Sequence, residues 1–220
     1  MPMFENGVTI LIPTYNRLDF SNLIIHNINC QTYPYIEKII IADDGEIPLD
    51  VSGCKYDIQY VKVSRCNIGA KRNFLKSLSK SDFSAFMDTD DFYHPNYIAR
   101  SVQILLESGK EVTGSNDMII WDKCRVYKQR CSLLNLLNEA TLVFRTSYDG
   151  SFGNANSSEG KSFLHDISLI EKGHIENIMI CIAHETNTVS KKRWTTKQYV
   201  TSYGLLDPYL CHMEIYGGIV

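Results

Sequence analysis

Three carboxylates crowd four positions of the chain: Asp88, Asp90 and Asp91, with Thr89 between them. The apolar run 83–87 leads into them, and Pro95 follows. Like charges this close repel unless a cation answers them, and hard oxygen donors suit a divalent ion such as Mg2+ or Mn2+. Capping a helix that opens at Pro95 would occupy one of these acids, not three. Asp43-Asp44-Gly45 repeats the pattern after the apolar run 39–42. Taken alone, that pair reads as a turn, because Asp and Gly are turn formers. A third apolar run, 8–12, ends in Pro13-Thr14-Tyr15-Asn16-Arg17, which offers hydrogen-bonding groups at a strand's carboxyl edge.

The elements that must position these clusters follow from periodicity. Residues 8–12 read as a buried strand that Pro13 terminates. Phe20, Leu23, Ile24 and Ile28 lie at helical spacing, with Asn27 on the same stripe and Asp19 or Ser21 available as a cap. Strands are predicted at 39–42, at 58–63 (nearer an edge) and at 83–87. A helix is predicted over 70–80, with Phe74, Leu75 and Leu78 apolar. Another opens at Pro95, buries Ile98, Val102, Leu105 and Leu106, and stops at Gly109. Such alternation of strand and helix predicts an α/β fold with a mostly parallel sheet. In open sheets of that kind ligands bind beyond the carboxyl ends of the strands, where the three polar clusters fall.

The second half is less regular. Strands are predicted at 117–121 and 125–128, joined through Asp122-Lys123, then a short helix at 131–138 and a strand at 140–145. A long polar stretch covers 147–160, and stretches of that kind are functional or mobile. A helix is predicted over 161–171 and a strand over 178–183, ending at His184. Lys191-Lys192-Arg193-Trp194 forms a basic-aromatic patch.

The 220 residues are 44% hydrophobic and 21% charged, the profile of a soluble globular chain with one good-sized core. A formal net charge of −3 supplies no basic field for nucleic acid or an anionic membrane. Seven cysteines with no C-x-x-C pair indicate neither a disulfide framework nor a zinc site, so reduced thiols in a cytoplasmic setting are expected. The N-terminus lacks a signal-peptide layout and no run is long enough for a transmembrane segment, leaving a peripheral membrane role open.

Residues 10–17, Gln31, residues 39–45, Asn67-Ile68-Gly69-Ala70-Lys71-Arg72-Asn73 and residues 86–91 come in an order and spacing that resembles the family 2 glycosyltransferases of the GT-A fold. The resemblance covers 8–97 and thins beyond to Glu159 and residues 184–188. It implies a single GT-A domain, with 1–109 for the nucleotide sugar and a smaller, irregular half, 110–220, for the acceptor. It implies an enzyme that inverts the anomeric centre in one displacement, moving a sugar from a nucleotide diphosphate sugar (UDP-sugar favoured) to a hydroxyl acceptor such as a glycan.

In that family, Pro13, Thr14, Tyr15 and Arg17 match the first nucleotide-binding loop. Asp44, with Asp43, matches the position that meets the base, and Arg72 a basic residue facing the nucleotide. Asp88-Thr89-Asp90 fits the D-x-D motif. Asp90 is then the foremost metal ligand, Asp88 lies nearer the ribose, Asp91 stands behind the ligands or serves as an alternate one, and His184 is a further ligand or diphosphate contact. The family's catalytic base often stands in a Glu-Asp pair before a helix. Here Glu159 is present and Gly160 replaces the Asp, so Glu159 is the candidate, with Asp166 and Asp149 as fallbacks. Lys191 to Arg193 would close over the diphosphate, and Trp194, more than Trp121, would stack on a sugar. Two other readings compete: a catalytically impaired nucleotide-sugar-binding module, and phosphotransfer through an aspartyl phosphate. The length leaves little room for a separate acceptor domain, so further domains of a longer protein are expected to assist.

Overall fold

A computed structural model of the chain describes residues 5–122, 125–130 and 136–187. The first half alternates as predicted. β1 (Val8–Thr14), β2 (Ile36–Asp43), β3 (Ile58–Lys62) and β4 (Phe83–Phe86) are interleaved with α1 (Ser21–Asn29) and α2 (Ile68–Leu78). β5 (Asp91–Tyr93) and α3 (Tyr97–Ser108) follow, then β6 (Val112–Gly114), β7 (Asp117–Trp121), β8 (Val126–Arg130) and β9 (Val143–Arg145). One helical turn, α4 (Gly160–Phe163), and the short strands β10 (Ile170–Lys172) and β11 (Met179–Ile182) complete the described chain.

Seven strands form the main sheet in the order β10-β6-β9-β4-β1-β2-β3. β1 is central and parallel to both β2 and β4, β3 is an edge, and β9 alone runs against its neighbours. Alternate residues of β1 enter opposite cores. Val8, Ile10 and Ile12 join one cluster, and Leu11 joins the other with Ile40 and Phe86. A parallel sheet covered on both faces reads this way, as a continuous apolar run rather than an alternation. A second sheet, β5-β11-β7-β8, packs its residues into the first cluster.

Three expectations are corrected. Pro13 does not end β1; it stays in register with Ala42. It shares the parity of Leu11, whose carbonyl accepts from the Met87 N–H on the β4 side. Its missing donor therefore points to where β4 has already stopped, and the ladder loses nothing. Second, of the three apolar residues expected on α2, Leu75 is buried and Leu78 packs against the core, but Phe74 faces away from it. The buried face of the helix is Gly69, Lys71, Arg72 and Leu75, while Phe74 is 36% exposed. Third, the helix expected over 161–171 stops after one turn. The Asp166 carboxylate accepts from both the N–H and the hydroxyl of Ser168 (2.8 and 2.7 Å), a local bond that competes with helix continuation. Ile167 is left 60% exposed, so no apolar face repays extending the helix. Residues Glu139–Thr141 likewise form a 3-10 turn before β9, so that strand starts at Val143 and not at 140. The helix expected over 131–138 and the 191–194 patch lie wholly or mostly outside the described residues. Trp121 is core, packed 6.1 Å from Phe92.

Candidate active site

A cleft of about 590 Å3 opens beyond the carboxyl ends of β1 and β4. Pro13, Thr14, Tyr15 and Arg17 line it from the end of β1, and Lys71 and Arg72 from α2. Asp88, Thr89, Asp90 and Asp91 line it from the β4–β5 turn, Glu139 and Glu159 from the second half. The sheet thus gathers residues some eighty positions apart, as the polar strand ends imply.

The β4–β5 turn is held from below. The Tyr93 hydroxyl accepts from the Asp88 N–H (2.8 Å) and donates to the Ala140 carbonyl (3.0 Å). Asn27 donates to the Asp91 carbonyl (2.8 Å) and accepts from the Tyr93 N–H (3.1 Å), so the one polar residue on the α1 stripe anchors β5. The acids above then diverge. Asp90 Oδ2 accepts from Arg17 Nε at 3.0 Å and lies 3.1 Å from His184 Nε2. Burial works to raise the Asp90 carboxyl, but the His184 hydrogen bond and Arg17 outweigh it and hold the group below the usual carboxylate range. His184 packs on the Phe20 ring at 4.8 Å, and Arg17 also donates to the Thr186 carbonyl at 2.7 Å, tying the loop after β11 to the loop after β1. Asp88 turns instead to Arg72 Nη2 (3.1 Å). Asp91 is buried and accepts from the Ile182 N–H (3.1 Å). Asp88, Asp90, Asp91 and His184, expected around one ion, therefore do not converge as one set. Among the described residues no group of three His, Cys, Asp or Glu is close enough to hold a metal.

Arg72 is buried and bridges two segments. Its Nε donates to Glu159 Oε1 at 3.2 Å while Nη2 holds Asp88, and its plane lies 4.9 Å from the Phe86 ring centre. Burial would lower its pKa, but Asp88, Glu159 and Glu139 together raise it. Glu159 sits immediately before α4. The loop ahead of it, 150–158, is stitched to the start of α2. Asn73 exchanges bonds with the Phe152 N–H and carbonyl (2.8 and 2.9 Å), and Gly69 N–H donates to Ala155 (3.1 Å). A Cβ at Gly69 would fall 1.8 Å from the Gly153 carbonyl oxygen, so only glycine allows this approach.

Asp43 and Asp44 lie below the cleft wall. Asp43 accepts from the Gly45 N–H (2.8 Å), the Tyr60 hydroxyl (2.7 Å) and Lys62 (3.3 Å). Asp44 accepts from buried Lys71, from Arg65 Nη1 (2.8 Å) and from the Cys66 N–H (3.1 Å). Burial opposes ionisation of Asp44, but the Lys71, Cys66 and Arg65 hydrogen bonds prevail and depress its carboxyl. Arg65 in turn stacks 3.7 Å from the Tyr15 ring centre at the cleft mouth. Asp166 caps its 3-10 turn and Asp149 is 85% exposed, and neither lines the cleft. The site residues that sequence reasoning misses are Lys71, Arg65 and Glu139. Lys71 falls within the stretch that resembles the family, but an expected apolar stripe on α2 hides its depth.

With the fold and site in view, the relationships are clear. Residues 9–155 match the model of "Glycosyl transferase family 2", and the chain belongs to that family. It is 23% identical over 119 residues to the glycosyltransferase GlyA of Streptococcus pneumoniae, covering 52% of this chain and 17% of that protein. An uncharacterized glycosyltransferase of Rickettsia felis is 28% identical over 233 residues, covering 94% of this chain and 38% of its own. The chain thus spans well under half the length of these relatives. Among solved structures, S. aureus TarS 1–349 in complex with UDP-GlcNAc superposes with a TM-score of 0.64 at 17% identity, covering 96% of this chain and 66% of that one. The mannosyltransferase PcManGT from Pyrobaculum calidifontis, in complex with GDP-Man and Mn2+, gives 0.62 at 13% identity, covering 98% and 70%. The architecture is therefore the GT-A fold that the resemblance implied.

Proposed function

We propose that this chain is the catalytic domain of a metal-dependent, inverting glycosyltransferase, using a UDP-sugar and a hydroxyl acceptor, with a glycan as the acceptor class. The observation that carries this is the position of Asp90, flanked by Arg17 and His184 on a cleft beyond the sheet's carboxyl edge. The Tyr15–Arg65 stack at the mouth offers a flat surface for a nucleobase. Arg17, Lys71 and Arg72 supply positive charge for a diphosphate.

A divalent cation is consistent with the donors present. Asp90 and His184 bring a carboxylate oxygen and an imidazole nitrogen together at one point of the cleft, a donor pair that suits Mn2+ or Mg2+. These are the residues that would hold it, and when bound there it would act as a Lewis acid on the leaving diphosphate. The chain's own contribution is to keep Asp90 ionised, to orient the nucleotide between β1 and α2, and to place carboxylates from the second half on the acceptor side. A binding module without transfer activity is the second reading, favoured by glycine at position 160.

Thermal unfolding with UDP, UDP-GlcNAc and GDP-mannose, each with Mn2+ or with EDTA, tests the donor site, since stabilisation follows affinity. Stabilisation by UDP-GlcNAc or UDP that EDTA abolishes is expected. No response to any nucleotide would overturn the reading, and indifference to metal would remove Asp90 from an ion-binding role. Hydrolysis of the donor separates enzyme from binding module.

A further inference from the structure

Gly160 opens α4, yet its backbone is not in a conformation that needs glycine. Space is what excludes a side chain. A Cβ there would lie 2.7 Å from Glu139 Cγ, 2.8 Å from its Oε1 and 3.1 Å from its Cδ. The volume that a side chain at position 160 would fill is thus occupied by the carboxylate of Glu139, reaching across from the 3-10 turn before β9. Its Oε1 accepts from the Gly160 N–H at 3.0 Å, which fixes the group at the start of α4 and on the cleft wall.

Among the described residues, the other carboxylates lining the cleft are already held, Asp91 by the Ile182 N–H and the rest by cations. Glu159 and Asp88 share Arg72, and Asp90 has Arg17. Glu139 is held by a backbone N–H instead, half-buried beside Glu159. From this arrangement we infer that Glu139 is the general base of the transfer, and that Glu159 is a positioning residue that locks Arg72. The inference rests on the glycosyltransferase reading above. The acceptor O–H gives its proton to the Glu139 carboxylate as the acceptor oxygen bonds to the sugar's anomeric carbon. The bond from that carbon to the diphosphate oxygen breaks, and its electron pair leaves with the nucleoside diphosphate. The charges around Glu139 suit that task. Burial and then the neighbouring Glu159 raise its carboxyl above the usual range. Its own N–H, Arg72 and the Gly160 N–H pull the other way without cancelling the rise.

The test uses the whole chain with UDP-GlcNAc, UDP-glucose and GDP-mannose plus Mn2+, with water as the acceptor and released nucleotide as the readout. Glu139→Gln is expected to lower kcat about 10²- to 10⁴-fold while nucleotide affinity, read by calorimetry with UDP and GDP, stays within about twofold of wild type by the same argument. Glu159→Gln is expected to weaken nucleotide binding and stability as well, because it frees Arg72. The double variant Glu139→Ala with Gly160→Asp returns a carboxylate to the same volume, and recovery of about tenfold or more over Glu139→Ala alone is expected. The acid limb of the wild-type rate against pH is expected to vanish in Glu139→Gln. If wild type turns over a donor and Glu139→Gln keeps that rate, the inference is overturned while the glycosyltransferase reading stands. If Glu139→Gln loses activity only together with nucleotide affinity, Glu139 is structural and the inference is likewise overturned. A wild type that binds nucleotide yet releases none from any of the three donors overturns both.

Discussion

Two acid pairs close two nearby strands, Asp43-Asp44 at the end of β2 and Asp88 with Asp90 beyond β4. In sequence they look alike: an apolar run, then carboxylates at a turn. In the fold they differ in who answers them. The β2 pair is enclosed by its own side of the sheet: Lys62 and Tyr60 from β3, Lys71 from α2, and Arg65 from the segment between. Within the β4 pair, Asp88 is also answered by α2, whereas Asp90 is reached from farther away, by the loops after β1 and β11. Acids neutralised by adjacent elements stiffen a wall. Acids reached by converging loops stay on the cleft, where a ligand can exchange with their partners.

The sharpest way to break this contrast is Arg72→Met. It leaves Glu159 buried and Asp88 partly buried without their cation, and a loss of about 3–5 kcal/mol is expected in denaturant unfolding. A change under about 1 kcal/mol would mean that the bridge is incidental. Next, Asp90→Asn should reduce donor turnover about 10²- to 10³-fold with little change in Tm, whereas a comparable loss of Tm would place Asp90 with the wall. Asp44→Asn should do the reverse, lowering stability at pH 7 by about 1.5–3 kcal/mol, the range for hydrogen bonds to charged groups. Because the folded Asp44 carboxyl is depressed, its contribution is complete above the unfolded value of about 3.9 and is lost as pH falls below it. The gap between variant and wild type, followed by thermal unfolding, should therefore narrow below about pH 4. The smallest effect is expected for Arg65→Ala. Its side chain is 63% exposed, so the ion pair with Asp44 contributes under about 1 kcal/mol. Nucleotide affinity should still fall a few-fold as the Tyr15 stack is lost.

How much of the molecule is legible in the sequence follows the same divide. β1, β2 and β4 are apolar runs covered on both faces, so hydrophobic patterning finds them to within a few residues, and with them the neighbourhood of Thr14, Asp44 and Asp88. Patterning also locates α2 and its buried Leu75, but not the depth of Lys71 and Arg72, because charged residues on the inward face leave no hydrophobic period. The second half builds its part of the site from one-turn elements, too short for periodicity to mark. Glu139 stands alone between Asn138 and Ala140 with no motif around it. The sole sequence sign of it is indirect: a glycine at position 160 where an acid is expected. Which of its two expected places Asp91 takes is hidden for a related reason, since sequence gives the crowding of carboxylates but not that β11 claims one of them.

Arg72 carries one more consequence. A single rigid fork holds Asp88 in the β4–β5 turn and Glu159 before α4, so the two segments share one mechanical link. Whatever anion competes with Asp88 for that fork changes the hold on Glu159 as well. Linkage requires the influence to run equally in the other direction. On the proposed reading, occupancy of the nucleotide subsite and order in the 150–160 loop would be coupled through this one guanidinium.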